Sequence, residues 1–188
     1  MKKYTVFMFL FAFPFLVNGQ AIFDTRIAEI RKIYQQTLDE KATFKTQEKD
    51  ITDKAFSNEG DNYSKANVIY YYASDSELKL VILTFSSVGQ YSSYDRNVEL
   101  YYEKGLLCFL YSKRVNTQWE EVYEQKGKAS SVMEERVYFD KNQVCFRYLI
   151  KEIEGKPEAI NILQETTPNV EIDCADSEVI IEDVKKYL

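Results

Sequence analysis

Two stretches of the chain repeat one pattern at a constant distance. LYYEKGLLCFLY occupies residues 100–111 and VYFDKNQVCFRY occupies residues 137–148, so the two align without a gap at an offset of 37 residues. In each stretch, two apolar and aromatic runs flank a short polar segment, Lys104-Gly105 in the first and Lys141-Asn142 in the second. Strand-like runs joined by a two-residue turn are typical of a β-hairpin. The repeat therefore predicts two antiparallel hairpins.

The turns also predict which side chains share a face of the sheet. Two-residue type I′ turns place Tyr101 opposite Cys108 and Tyr138 opposite Cys145, and they place Arg136 opposite Arg147. Because side chains alternate across a strand, one face is predicted to be apolar and covered. Its predicted members are Leu100, Tyr102, Leu107, Phe109, Tyr111, Val137, Phe139, Val144, Phe146 and Tyr148. The predicted outer face carries Glu99, Tyr101, Cys108, Leu110, Arg136, Tyr138, Cys145 and Arg147.

The rest of the chain completes an α+β pattern. An apolar stripe with helical spacing predicts one helix over residues 22–49. Its members are Phe23, Ile27, Ile30, Tyr34 and Leu38. Strands are predicted over residues 66–73, 77–85, 94–103, 106–115, 133–140 and 143–153, with a polar loop over 116–132. A short helix is predicted near 157–164, and Asp176 or Ser177 begins a last one. The predicted fold is an N-terminal helix packed on the apolar face of a curved antiparallel meander of about six strands, with a short C-terminal helix.

The first 20 residues have the features of a secretory signal peptide. Lys2 and Lys3 precede an apolar run that is too short to span a bilayer, and small residues follow near 19–21. Residues 21–188 are then predicted to form a single exported domain without a membrane span. Removing the two lysines takes the formal charge from −6 to about −8. The remaining basic residues are scattered, which argues against a nucleic-acid partner.

The composition excludes several chemistries. The chain has no histidine, which removes imidazole metal sites and serine or cysteine catalysis that depends on histidine. No phosphate-binding glycine loop or nucleophile elbow is present. No cofactor and no metal are therefore predicted. Three cysteines leave the redox state open: Cys145 with Cys174 is the freer pairing, and three free thiols are an equal alternative.

Carboxylates are one remaining source of chemistry. The densest acidic cluster is Glu171, Asp173, Asp176 and Glu178. A carboxylate pair would suit a glycosidase-like hydrolase, or oxygen ligands for Ca²⁺. Acidic residues also favour a helix N-terminus, so a solvated structural role is the main alternative.

Aromatic residues offer the other functional lead. The chain contains 15 tyrosines, 12 phenylalanines and one tryptophan. On the predicted outer face and the neighbouring loop, the candidate partner-binding residues are Tyr71, Tyr101, Trp119, Tyr123 and Tyr138. Exposed aromatic rings give a binding surface large area at low entropic cost. Tyrosine is also a favoured strand residue, so a purely structural role is the competing interpretation.

The order of these motifs resembles a group of small exported Bacteroidota proteins. Members of that group carry an IRxxYxxI-like helix, a YYFxxGKLxF hairpin, a variable loop and an ERYYFxxGKLIR hairpin. The corresponding stretches here are Ile30-Arg31-Lys32-Ile33-Tyr34, residues 100–109 and residues 135–147. The chain departs from the pattern at Asn142-Gln143 and in its cysteines at 108 and 145. The resemblance implies the fold and export only.

These observations predict an exported, non-enzymatic binding protein. Its expected partner is a protein or a glycan of the cell envelope. A carboxylate-dependent hydrolase and a structural envelope component are the alternatives, and the oligomeric state is left open.

Overall fold

The computed structural model describes residues 13–56, 64–119, 127–156 and 159–188. Its helices and strands are α1 (Phe13–Glu40), β1 (Lys45–Asp50), α2 (Thr52–Ala55), β2 (Lys65–Tyr72), β3 (Leu78–Val88), β4 (Ser92–Glu103), β5 (Leu106–Trp119), β6 (Gly127–Phe139), β7 (Cys145–Gly155), α3 (Ile160–Thr166), β8 (Val170–Ile172) and α4 (Ser177–Lys185). The eight strands pair in chain order as one antiparallel sheet. The predicted α+β class, N-terminal helix and short C-terminal helix are confirmed, and the strand number is eight rather than about six.

The two additional strands lie at the edges of the sheet. The helix predicted over residues 22–49 ends at Glu40, and a 3₁₀ turn over Lys41–Thr43 leads into β1. All six residues of β1, KTQEKD, are exposed, so this edge strand has no apolar alternation to identify it. The opposite edge, β8, has only three residues. Both segments are therefore strands because they pair with β2 and β7, and their local sequence pattern does not identify them as strands.

The predicted polar loop over 116–132 is largely strand. Asn116 pairs with Ser131 and Trp119 pairs with Gly127, so β5 continues to residue 119 and β6 begins at residue 127. Residues 120–126 lie outside the described part of the chain. Backbone pairing with a neighbouring strand outweighs the polar composition of this segment.

The first hairpin has the predicted turn but not the predicted register. Lys104 and Gly105 have φ values of 52° and 81°, as a type I′ turn requires. Tyr102 pairs with Leu107, whereas Tyr101 pairs with Phe109, so Cys108 is an extra residue in the strand. Such a β-bulge shifts every later pair by one position. The predicted pairing of Tyr101 with Cys108 is therefore wrong, and Cys108 and Phe109 belong to the same core cluster beneath α1.

The second hairpin has a longer turn. Gln143, not Asn142, has the positive φ of 67°, and the Asp140 N–H donates to the Val144 carbonyl at 2.9 Å. The loop thus has three residues, and Cys145 pairs with Phe139 rather than with Tyr138. This extra residue places Cys145 on the α4 face, where it forms a disulfide with Cys174. Its partner in the sequence alignment, Cys108, is a buried free thiol on the α1 face.

Helices cover both faces of the sheet, so the prediction of a single covered face is wrong. The core beneath α1 consists of Ile27, Ile30, Leu80, Ile82, Tyr101, Cys108, Phe109 and Tyr138. The core beneath α4 includes Val68, Val81, Leu83, Val98, Leu100, Leu110, Val137, Phe139, Tyr148, Ile180 and Val184. Val144, predicted as a core residue, lies directly after the turn with 59% of its surface exposed. None of the described helices is long and apolar enough to cross a membrane.

Candidate functional site

Three rows of side chains cross the α1 face of the sheet from β4 to β7. The first row is Tyr101, Phe109, Tyr138 and Arg147. The second is Glu99, Tyr111, Arg136 and Leu149, and the third is Asn97, Lys113, Glu134 and Lys151. Ile27 and Ile30 of α1 pack on the first row, while Ile160 of α3 packs on Val132 and Ile153 beyond the third. The second and third rows therefore lie between two helices that rest on the same face.

A cavity opens at the border between α1 and these rows. It has a volume of about 330 Å³ and is called the α1 cleft below. It is lined by Ile30, Arg31, Tyr34, Phe109, Tyr111, Arg136 and Tyr138. Small-molecule sites in proteins span about 300–1,000 Å³, so the cleft lies at the small end of that range.

Aromatic rings give the cleft fixed walls. The Tyr34 ring lies 5.0 Å from that of Tyr101 and meets Phe109 edge-on at 6.0 Å, between ring centroids. The Phe109 and Tyr138 centroids are 4.9 Å apart. Packed rings of this kind have few alternative rotamers, so the shape of the cleft is set before a ligand arrives.

Arg136 is held in place on the floor of the cleft. Its Nη2 donates to Glu134 at 2.7 Å and its Nη1 donates to Asn169 at 2.7 Å. The guanidinium carbon also lies 5.3 Å from the Tyr111 ring centroid. Two hydrogen bonds and one stacking contact thus orient the planar group.

Glu134 connects Arg136 to α3. The residue is 2% exposed and accepts hydrogen bonds from Arg136 and from the side-chain amide of Gln164. Burial by itself would raise the pKa of the Glu134 carboxyl, but the hydrogen bond and charge of Arg136 outweigh it and hold the pKa below its ordinary value. Lys113 donates to the Gln164 side chain at 3.2 Å and Lys151 to its carbonyl at 2.8 Å. Glu134 is therefore ionised and fully engaged at neutral pH.

Glu99 is engaged in a similar way. It accepts hydrogen bonds from the Tyr101 hydroxyl at 2.5 Å and from the Asn97 amide at 2.9 Å. Burial and this bond to Glu99 raise the pKa of Tyr101 far above its ordinary value. Burial, then the Glu99 charge, also raises the pKa of Tyr34. Both tyrosines are therefore neutral donors over the physiological range.

The structure separates the residues predicted to bind a partner. Tyr101 is 0% exposed and Tyr138 is 7% exposed, so the prediction that both lie on an open outer face is wrong, because α1 covers that face. Tyr71 is half-buried beside the same helix, with the Lys41 ammonium 4.9 Å from its ring centroid. Trp119 lies at the other end of β5, and Tyr123 lies outside the described residues. Of the four that the structure describes, Tyr138 alone is among the residues that line the cleft.

Sequence reasoning missed the other residues of the cleft. Tyr34 was recognised as part of a helical stripe, but the pattern did not show which strands it meets. Arg136 was predicted to oppose Arg147, a like-charge conflict. In the shifted register Arg136 pairs with Leu149, and Arg147 pairs with Tyr138, which removes the conflict. That conflict was the one available sign that the predicted register was wrong.

The acidic cluster after β7 has structural roles. Glu171 pairs with Arg147 at 3.0 Å, and Asp173 accepts a hydrogen bond from the Ala175 N–H at 2.9 Å. Asp176 and Glu178 lie at the start of α4, where negative charge favours the helix dipole. Among the described residues, no group of three or more cysteine, aspartate or glutamate side chains is placed to hold a metal ion.

No protein-family model, curated protein or solved structure matches the chain. The resemblance to exported Bacteroidota proteins stays a prediction, and the function is argued from the geometry of the site.

Proposed function

We propose that this chain is an exported, non-enzymatic binding protein and that the α1 cleft is its recognition site. The observation that carries the proposal is a preformed aromatic cavity of about 330 Å³ with an oriented guanidinium on its floor. Concave sites with mostly apolar walls and a few fixed polar groups are the usual form of ligand pockets. The partner is a protein or a glycan of the cell envelope, of which one group enters the cleft.

The carboxylates beside the cleft favour binding over the hydrolase alternative. A glycosidase-like mechanism needs one carboxyl group whose pKa is raised, so that it can donate a proton. Arg136 instead holds the pKa of Glu134 below its ordinary value. Glu99 already accepts two hydrogen bonds from neighbouring side chains. Both carboxylates support the architecture of the cleft.

The export component rests on the sequence of residues 1–20. A short positive start, an apolar run and small residues near 19–21 form the pattern of a cleaved signal peptide. The resemblance to exported Bacteroidota proteins supports the same location. An envelope partner follows from that location, and the net charge of −6 argues against nucleic acid.

Capture from the cell envelope tests the proposal. Immobilised protein is incubated with an envelope extract, and bound components are identified by mass spectrometry. Tyr111→Ala removes one wall of the cleft and should lower the affinity about thirtyfold, which corresponds to a hot-spot loss of about 2 kcal/mol.

The matched control is Tyr91→Ala, since Tyr91 is 59% exposed and does not line the cleft. It should capture as the unchanged protein does, and circular dichroism should show that both variants are folded. Unchanged capture by Tyr111→Ala would show that the cleft is not the recognition site. Hydrolysis of an envelope glycan by the unchanged protein that is abolished in Glu134→Gln but kept in Tyr111→Ala would favour the hydrolase instead.

A further inference from the structure

The α1 cleft combines two arginines from different elements. Arg31 projects from α1 and Arg136 from β6, and both line the cavity. Arg31 is exposed and has no hydrogen-bond or ion-pair partner among the described residues. Arg136 uses one N–H of each Nη group for its bonds to Glu134 and Asn169. A guanidinium has five N–H donors, so three remain on Arg136.

The local charge is opposite in sign to that of the whole protein. Arg31 together with the second and third rows from β4 to β7 supplies four basic groups, Arg31, Lys113, Arg136 and Lys151. The same region has two carboxylates, Glu99 and Glu134, which leaves a balance of +2 on a protein of net charge −6. The two charged side chains that line the cleft itself, Arg31 and Arg136, are both positive, so this concave region of an acidic protein attracts an anionic group.

The cleft also selects for an apolar body. Its other lining residues are Ile30, Tyr34, Phe109, Tyr111 and Tyr138, four of which are aromatic. A ring or branched apolar group can contact these walls while an attached anion reaches the guanidinium groups.

From this juxtaposition we infer that the α1 cleft binds a monocarboxylate attached to an aromatic or apolar body. This inference rests on the proposed function and names the chemistry of its ligand. The C-terminal carboxylate of an envelope protein is the source that agrees with the proposed function, and a free small acid has the same recognition chemistry, so the test distinguishes the two. Arg31 and Arg136 bind the carboxylate oxygens, and the rings enclose the body.

Paired acids and amides test the inference. The probes are phenylacetate with phenylacetamide, and a tetrapeptide ending in phenylalanine with a free or an amidated C-terminus. Binding to the protein is followed by NMR chemical-shift titration of the cleft residues. Each acid should bind at least about tenfold more tightly than its amide. Tighter binding of the peptide acid than of phenylacetate identifies a chain terminus, and equal binding identifies a small acid.

Arg31→Gln provides the decisive variant, because Arg31 is exposed and its loss leaves no buried partner. It should reduce the preference for acid over amide to less than about threefold. Lys32→Gln is the matched control: the residue is adjacent, basic and exposed, but it does not line the cleft. This control should keep the full preference.

Each alternative outcome overturns the inference. Equal binding of acid and amide at the cleft would show that the ligand is not selected by a carboxylate, while the cleft would stand as the recognition site. If Arg31→Gln and Lys32→Gln changed the preference for acid over amide equally, Arg31 would not be the residue that binds the carboxylate. No shift of the cleft resonances at millimolar probe concentration would reject this ligand class, whereas failure of the proposed function is seen separately in the capture by Tyr111→Ala.

Discussion

Tyr101 is a fully buried aromatic residue with both ring contacts and a hydrogen bond. It is 0% exposed, its ring lies 5.0 Å from that of Tyr34 and 5.8 Å from that of Phe109, and its hydroxyl donates to Glu99. Tyr101→Ala would leave a cavity under α1 and would remove one of the two hydrogen-bond donors to Glu99. We expect a loss of about 3–5 kcal/mol in the free energy of unfolding, measured by urea denaturation.

Comparing Val144→Ala with Tyr101→Ala tests the register of the hairpins. The hairpin repeat alone places Val144 in the core and Tyr101 on the surface, but Val144 is 59% exposed directly after the second turn. Its truncation should change the free energy of unfolding by no more than about 0.5 kcal/mol. If Val144→Ala cost more than Tyr101→Ala, the bulged register described for the hairpins would be incorrect.

Cys108 predicts a dependence of stability on alkaline pH. The thiol is 1% exposed, and burial raises its pKa from 9.0 to about 12. The unfolded chain loses this proton near pH 9, while the folded chain keeps it. The stability due to the protonated thiol is therefore intact below pH 9 and declines as the pH rises towards 12, by about 1.4 kcal/mol per pH unit.

The measurement compares the unchanged protein with Cys108→Ala. Tyrosines such as Tyr101 and Tyr102 also have raised pKa values and contribute a decline of the same sign in both proteins. The difference between the two urea-unfolding curves, recorded from pH 8 to pH 11, isolates the cysteine. A difference that stays constant above pH 9 would mean that the thiol ionises in the folded protein.

At the scale of elements, turn length and register shifts together decide on which face of the sheet a side chain lies. The turn of the first hairpin has two residues, Lys104 and Gly105. The turn of the second hairpin has three residues and ends at Gln143, which has a positive φ. The Gln143 side chain exchanges two hydrogen bonds of 3.0 Å with the backbone of Leu107, so the second turn is tied to the start of β5. One extra turn residue thus sends Cys145 to the α4 face while Cys108 faces α1.

The disulfide should be a major stabilising link between β7 and the segment before α4. Cys145 and Cys174 are separated by 29 residues in sequence. Closing a loop of that length restricts the unfolded chain by roughly 3–4 kcal/mol at 25 °C. We expect Cys145→Ser combined with Cys174→Ser to lose about that amount in urea unfolding.

Reduction provides the control for the double variant. Wild-type protein treated with dithiothreitol should unfold at the same urea concentration as the untreated double variant, because both lack the cross-link. A loss below about 1 kcal/mol in both would mean that the disulfide does not restrict the unfolded chain as this estimate assumes.

At the scale of the whole molecule, elements from the two ends of the chain cover the two faces of one sheet. Within α1 from residue 22 onward, residues 22–25 are exposed, and Arg26 and Ile27 are buried. Ile27 and Ile30, which pack on the sheet, therefore lie after the predicted cleavage region near 19–21. Cleavage there would leave the contacts of Ile27 and Ile30 with the sheet in place.

Export is tested by the mass of the native protein. Protein isolated from the cells that make it should begin at or near Gln20 or Ile22, as measured by intact-mass spectrometry. A chain starting at Ala21 should also unfold at the same urea concentration as the isolated protein. A mass that still includes residues 1–19 in the envelope fraction would contradict the prediction.

The cleft shows where local pattern stops being informative. The helical spacing of Ile27, Ile30 and Tyr34 identified the buried side of α1, and the repeat identified β4 to β7. A helical stripe, however, does not specify which face of a sheet it will cover. Because both faces carry apolar residues, the sequence offered two choices, and the predicted choice left Tyr101 and Tyr138 exposed.

The sequence by itself determined the α+β class, the N-terminal and C-terminal helices and the existence of two hairpins, because these follow from periodicity and turn residues within short segments. Only the tertiary structure decided the register, the strands at both edges and the covering of both faces. A bulge at Cys108 moves the rest of β5 to the opposite face, since side chains alternate with a period of two. In the second hairpin the extra turn residue at Gln143 is offset by a register shift at Phe146, so only Cys145 and Phe146 change faces. The α1 cleft depends on the bulge in β5, which brings Phe109 and Tyr111 beneath α1 beside Arg136.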